Sequence, residues 1–186
     1  MFMNRTIHFG FSASKKTLND DFEQNFTRFL KGYGYVQFPM LNILPIGSDF
    51  CGPHMSGDFL SASQNPKNFT LFSYYGDAPS EFYLERKPPR DLIAVMTVKF
   101  VDNKDIQEAT IVALCANAPK KYSGGGKLLE VFIKGCRSIG VKDIILEAIN
   151  VPKTVGFYKR YDFKQEYSDQ NSGDALLDMR LDVRNK

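Results

Sequence analysis

Among its 186 residues the chain has no tryptophan, two histidines (His8 and His54) and three cysteines (Cys51, Cys115 and Cys136). With no Cys-x-x-Cys pair and no His-rich tract, the side chains that build a structural zinc site are too sparse, so no metal is expected. Three scattered cysteines do not make a disulfide framework. Cys115 and Cys136 sit in apolar, patterned stretches, where a reduced thiol packs as a small hydrophobe. No apolar run approaches the roughly 20 residues that cross a bilayer. The start, Met1-Phe2-Met3-Asn4-Arg5, lacks the apolar centre of a signal peptide, so the chain reads as cytoplasmic with no membrane partner. Long runs of one charge are also missing. Lysine and arginine total 24 against 21 acidic residues, a net +3, and the basic residues cluster only in pairs such as Lys15-Lys16 and Lys120-Lys121. That is a solvated surface, and it argues against nucleic acid as a partner.

What is present is globular: 43% hydrophobic and 13% aromatic residues, in a length that fits one domain, residues 1–186. Ile7, Phe9 and Phe11 alternate, which predicts a strand over Arg5 to Phe11. Leu18, Phe22, Phe26, Phe29 and Leu30 recur near helical spacing, and Gly32 and Gly34 end the predicted helix. From Phe38 to Asn68, prolines and glycines break any period while Met40, Leu41, Ile43, Leu44 and Phe50 keep the segment apolar. It is expected to pack, irregularly, over a binding site. Strands are predicted at Phe69 to Tyr75, Phe82 to Arg86 and Leu92 to Phe100. Thr110 to Ala116 is nearly continuous in apolar residues, as a central strand should be. Leu128, Leu129, Phe132, Ile133, Cys136 and Ile139 make one helical stripe closed by Gly140. A strand at Val141 to Ile149, a short helix at Thr154 to Lys159, and strands at Asp162 to Tyr167 and Leu176 to Val183 complete the order, with a turn at Asn171 to Asp174.

The chemistry lies where a strand, a glycine turn and a helix follow one another: Ile111 to Ala116, Lys121-Tyr122-Ser123-Gly124-Gly125-Gly126, then Lys127-Leu128-Leu129. Glycines before a helix bring backbone amides close to a ligand, and the helix dipole favours an anion. A diphosphate is the natural guest, with Lys120, Lys121 and Lys127 near it; a tight turn that binds nothing is the bland alternative. A Walker A loop is excluded, because Leu128 follows Lys127 and no glycine stands at the earlier offset. The dinucleotide fingerprint fits poorly, since the glycines are consecutive and Asn150, not an acid, follows the next strand. A nucleotide-phosphate module of some other fold stays open.

The spacing Lys121-x-x-Gly124-x-Gly126 is similar to the pyrophosphate motif of the GNAT acyltransferase superfamily, Arg/Gln-x-x-Gly-x-Gly/Ala, with lysine at its first position. An apolar strand precedes it, an amphipathic helix follows, then comes the strand Asp143 to Ile149. Phe157-Tyr158-Lys159-Arg160-Tyr161-Asp162-Phe163 resembles the family's Phe-Tyr-x-x-x-Gly-Phe segment. Asp162 takes the glycine's place, and aspartate tolerates the left-handed conformation better than most residues. The resemblance covers residues 91–186, the coenzyme-binding core, and leaves 1–90 as the variable substrate half.

The resemblance implies an α/β fold with a mixed, mostly antiparallel central sheet flanked by helices. It implies acetyl-CoA as co-substrate and direct transfer of the acetyl group to a primary amine on a small molecule or peptide. Leu114, Cys115 and Ala116 would contact the pantetheine arm through their backbone, with the Ala116 amide facing the thioester oxygen. Lys121, Ser123, Gly124, Gly125, Gly126 and Lys127 would hold the diphosphate, and Asn150 is similar to a family asparagine that touches coenzyme A. Tyr158 matches the tyrosine that protonates the leaving thiolate. Glu108 and Glu147 are the candidate general bases by position. His54 is read as a loop residue and Cys115 as core packing, not as a nucleophile. A homodimer is compatible with the resemblance. The competing reading is an acyltransferase-fold protein that binds without catalysing.

Overall fold

The structure is a computed structural model and describes residues 7–12, 21–38, 61–62, 65, 68–75, 91–102, 107–116, 124–166 and 175–184. Alternating Ile7, Phe9 and Phe11 form β1 (Ile7–Ser12), and the amphipathic stretch after it forms α1 (Asp21–Gly32). A short strand with no signal of its own, β2 (Val36–Phe38), returns parallel to β1. Three longer strands follow: β3 (Phe69–Tyr75), β4 (Asp91–Asp102) and β5 (Gln107–Ala116). Helix α2 (Gly124–Ile139) leads to β6 (Asp143–Ile149), α3 (Pro152–Lys159), β7 (Lys164–Gln165) and β8 (Leu176–Asp182).

These strands make one eight-stranded sheet in the order β2-β1-β3-β4-β5-β6-β8-β7. Its pairs are antiparallel except β1/β2 and β5/β6. Parallel neighbours need a crossover between them, and α2 is the crossover for β5 and β6. On the face that α2 covers, Phe26 of α1 meets Phe69, Phe100 and Phe132 edge-on at 5.1–5.8 Å. Gly135 permits that crossing, because a Cβ there would collide with the rings of Phe26 and Phe29. Val155 and Tyr158 of α3 join the same core through Leu146, Ala148 and Phe163. The three described helices therefore share one face.

A β-bulge sets the site. Val98 pairs with Ile111 and Thr97 with Ala113, which leaves Val112 as an extra residue in β5. Before it, Ala109 and Ile111 point to the helices; after it, Leu114 does. Without the extra residue, Cys115 would point toward the helices in place of Leu114 and Ala116.

Boundaries differ from expectation in places. α1 starts at Asp21; Leu18, Asn19 and Asp20 lie outside the described residues. The predicted strand at Asp162 to Tyr167 shrinks to two residues, because Asp162 turns the chain with φ of +67°. That is the left-handed conformation anticipated at this position. The predicted strand at Phe82 to Arg86, the turn at Asn171 to Asp174, most of the segment from Phe38 to Asn68, Cys51, His54 and Lys120 to Ser123 lie outside the described residues.

Candidate active site

The central strand is not enclosed along its whole length. β5 and β6 pair from Glu108/Asp143 to Ile111/Leu146 and no further, although β5 runs to Ala116 and β6 to Ile149. Past that point the two strands part, and backbone groups on the facing edges of Val112 to Ala116 and Glu147 to Ile149 lose the ladder. Val112, at 41% exposure, and Ala116 lie open in a stretch whose composition promised full burial.

On the helix face, the gap opens into a cleft of about 960 Å³. Its walls include Leu114 and Ala116 of β5, Gly124–Gly126 of α2, and Pro152, Lys153, Phe157 and Tyr158 of α3, with Arg160 and Tyr161 just beyond. That volume is in the range of cofactor sites, about 300–1,000 Å³. The three glycines form the first turn of α2, which holds no acidic residue, so the helix's positive end meets the cleft without a counter-charge of its own.

Each glycine is small for a different reason. A Cβ on Gly124 would lie 2.5 Å from Ile93 Cγ2 and 3.3 Å from Ala94 Cβ, so Gly124 lets α2 begin against β4. On Gly125 it would meet Ala116 Cβ at 3.4 Å, an ordinary contact. On Gly126 it would lie 2.6 Å from the Tyr161 hydroxyl.

Tyr158 is buried at 7% exposure and lines the cleft. Burial pushes its phenol up to about 12 from the usual 10, so it keeps its proton at neutral pH. Its ring is fixed edge-on by Phe157 at 5.1 Å and by Phe163 at 5.7 Å. Lys153 and Arg160 bring positive charge to the cleft wall, the latter with its guanidinium 5.7 Å from the Phe157 ring centroid.

A separate groove reaches the start of the gap. On the sheet's reverse face a groove of about 440 Å³ is lined by Lys99, Thr110, Val112, Ile145, Glu147, Glu166 and Asp178, with neighbouring backbone. Glu147 is the first residue of β6 past the last β5 pair, and Asp178 is its partner on β8. Glu108 is placed elsewhere, four residues before Val112 or roughly 13 Å along the strand. Its carboxylate lies 3.6 Å from Arg180 Nη1, which also reaches Asp143 at 3.5 Å, while Arg180 Nε donates to Glu166.

The structure thus brings together Leu114, Ala116, Gly124, Gly125, Gly126 and Tyr158 around one cleft, with Glu147 behind the gap. Lys121 and Ser123 lie outside the described residues, and Lys127 is exposed in the first turn of α2. Asn150 follows β6, where its backbone N–H donates to the Ala175 carbonyl, and is not among the cleft's walls. One expectation is corrected. Cys115 is disulfide-bonded, not a reduced core thiol, and the buried free thiol is Cys136. With Leu114 facing the helices, Cys115 points to the opposite face of the sheet, where it is still buried. Sequence reasoning missed Lys153, Arg160 and Tyr161. The last two lie inside the quoted Phe157-to-Phe163 segment, where they read as spacers. Among the described residues no helix is long and apolar enough to cross a membrane, and no cluster of metal-ligating side chains occurs.

No protein-family description and no curated protein matches the sequence. Solved structures do match the fold. FeeM, an N-acyl amino acid synthase from uncultured soil microbes, superposes with a TM-score of 0.53 at 10% identity, over 100% of this chain and 94% of its own. Aminoglycoside 6'-acetyltransferase type Ii gives 0.51 at 13% identity, over 95% and 98%. A GNAT-family protein from Desulfovibrio desulfuricans gives 0.50 at 14% identity, over 96% and 99%. The chain has the GNAT acyltransferase fold, and the likeness spans both of its halves.

Proposed function

We propose that the chain is an acetyl-CoA-dependent N-acetyltransferase that moves an acetyl group to a primary amine by direct attack in a ternary complex. The observation that carries this reading is the gap beyond Ile111 and Leu146, open to a glycine-walled cleft on one face and a carboxylate-bearing groove on the other. Two reactants entering from opposite faces would meet between the strands, and holding them there supplies much of the acceleration.

In this reading the pantetheine arm lies along Leu114 to Ala116 and takes the hydrogen bonds that β6 relinquishes. The Ala116 amide donates to the thioester oxygen as negative charge develops on it. The amides of Gly124 to Gly126 receive the diphosphate, with Lys121, Ser123 and Lys127 beside them and Lys153 and Arg160 on the facing wall. Glu147 takes a proton from the incoming ammonium through water, the freed nitrogen attacks the carbonyl carbon, and the carbon–sulfur bond breaks. Tyr158 gives its proton to the departing thiolate and is reprotonated through solvent as the new amide nitrogen sheds its second proton. Glu108, ion-paired at the closed end, has no part in these steps. The chemistry draws on the acetyl-CoA of a cytoplasm; the Cys115 disulfide is the feature that stands against that location.

The test is thermal. Acetyl-CoA at many times its Kd stabilises a fold that binds it, so millimolar acetyl-CoA should raise the melting temperature where ATP and NAD do not. No shift sinks the reading. A shift without thiol release across a panel of amines leaves a coenzyme-binding protein that does not catalyse.

A further inference from the structure

Tyr161 is not needed by the chemistry above, yet its side chain lines the cleft. Its hydroxyl lies 2.6 Å from where the Cβ of residue 126 would stand in any other amino acid, closer than a Cβ can come. Burial, and then the nearby Glu130 carboxylate one turn farther along α2, raise its phenol above the usual value. Its ring packs on Phe157 at 5.3 Å, and its backbone N–H donates to the Tyr158 carbonyl at 2.9 Å. The Tyr158 carbonyl also accepts from Phe163. The turn behind Tyr158 is therefore stiff, and its far end plugs into the first turn of α2.

We propose that Tyr161 is a positioning residue: its hydroxyl, seated in the space that Gly126 leaves, clamps the Tyr158 turn to the amide-bearing end of α2. The clamp sets the width of the cleft between Tyr158 and the three glycines. It follows that the third glycine is small for the sake of Tyr161, not to admit a diphosphate. This rests on the coenzyme reading, but one prediction separates the two. The Tyr161 Cζ lies 3.8 Å from the position of a Cβ at residue 126, an ordinary contact. A phenylalanine at 161 therefore has room for an alanine at 126, while tyrosine has not.

Three variants decide it: Gly126→Ala, Tyr161→Phe and the pair together. Gly126→Ala should push the hydroxyl out of that space and raise the KM for acetyl-CoA about tenfold, with a smaller fall in kcat. Tyr161→Phe should raise KM about threefold, and adding Gly126→Ala to it should cost no more. The double variant then binds acetyl-CoA better than Gly126→Ala alone, a rescue that general loss of structure does not produce. If Gly126→Ala costs the same in both backgrounds, glycine serves the diphosphate and the clamp is wrong. If neither single variant changes KM, it is also wrong. Unfolding midpoints of the ligand-free proteins give the same cycle without coenzyme. A wild type indifferent to acetyl-CoA ends the functional reading, and additive losses in those midpoints end the clamp.

Discussion

The two ends of β5 follow opposite rules. At Glu108 to Ile111 the strand is laddered to β4 and β6, and Arg180 gathers the carboxylates of Glu108, Asp143 and Glu166 over it. At Val112 to Ala116 it keeps β4 but loses β6, and apolar and acidic side chains stand open around the gap. The change comes within one residue, at the bulge. Closing a sheet satisfies its backbone and earns stability; leaving it open costs unpaired groups, which persist where a ligand completes them. The closed end is scaffold and the open end is the place to look for function.

That contrast breaks most sharply at Tyr158. Tyr158→Phe keeps the ring but removes the proton, and kcat should fall about 100-fold or more while the KM for acetyl-CoA holds, since the loss is felt as the thiolate leaves. Steady-state thiol release measures it, and unchanged turnover removes Tyr158 as the acid. The same variant has a signature in stability. Burial raises the folded phenol to about 12, so the folded state holds a proton that the unfolded chain gives up near 10. Tyr158's contribution is intact below pH 10 and drains away between about 10 and 12. Tyr35, raised by its own burial, acts in the same direction. Denaturation across that window should slope less steeply in Tyr158→Phe than in wild type.

The two glutamates test the comparison directly, because the sequence offered both as bases. Glu147→Gln, at the open end, should lower kcat about tenfold to 100-fold. Glu108→Gln, at the closed end, should leave kcat unchanged. If the two effects are reversed, the roles assigned to the two ends are reversed with them. A third variant, Gly124→Ala, tests packing. Its new methyl meets Ile93 and Ala94 at the start of α2, with an expected loss of about 1–3 kcal/mol in chemical denaturation. Gly125→Ala, which meets only ordinary contacts, should lose less.

Much of this was legible in the residues because the signals were local. Phe69 to Tyr75 is a short run rich in aromatic residues, as strands are, the stripe from Leu128 to Ile139 has helical period, and the glycines before it mark where that helix begins. Asp162 could be assigned a left-handed backbone from its place in the Phe-Tyr segment alone. The bulge at Val112 could not. An unbroken apolar run looks the same whether it is fully paired or parts from its neighbour halfway, since pairing depends on register with strands elsewhere in the chain. Cys115 is buried, as expected, but the extra residue turns it to the face opposite Leu114, and its sulfur is bonded where a reduced thiol was expected. The parting also distinguishes Glu147 from Glu108, which occupy similar positions in sequence, one on each of the two strands. Tyr161 was hidden for another reason: its partner Gly126 is 35 positions away, and a side chain filling an absent Cβ leaves no pattern in either segment.

The smallest effect is expected at the closed end, where the ion pairs look most impressive. Arg180 touches three carboxylates, yet its side chain is 37% exposed and Glu166 is 46% exposed. Exposed pairs of this kind contribute about 0–1 kcal/mol each, because water already solvates both partners and ordering two long side chains costs entropy. Arg180→Gln should therefore lower stability by about 1 kcal/mol in low salt, through the repulsion left among Glu108, Asp143 and Glu166. In 1 M salt, where screening acts over about 3 Å, most of that loss should vanish. Turnover should change little, since Glu108 and Asp143 lie where the ladder stays shut and only Glu166 reaches the groove. A drop in kcat with Arg180→Gln would mean that the ladder's closed end governs how far the strands part, and the division drawn at the bulge would have to move.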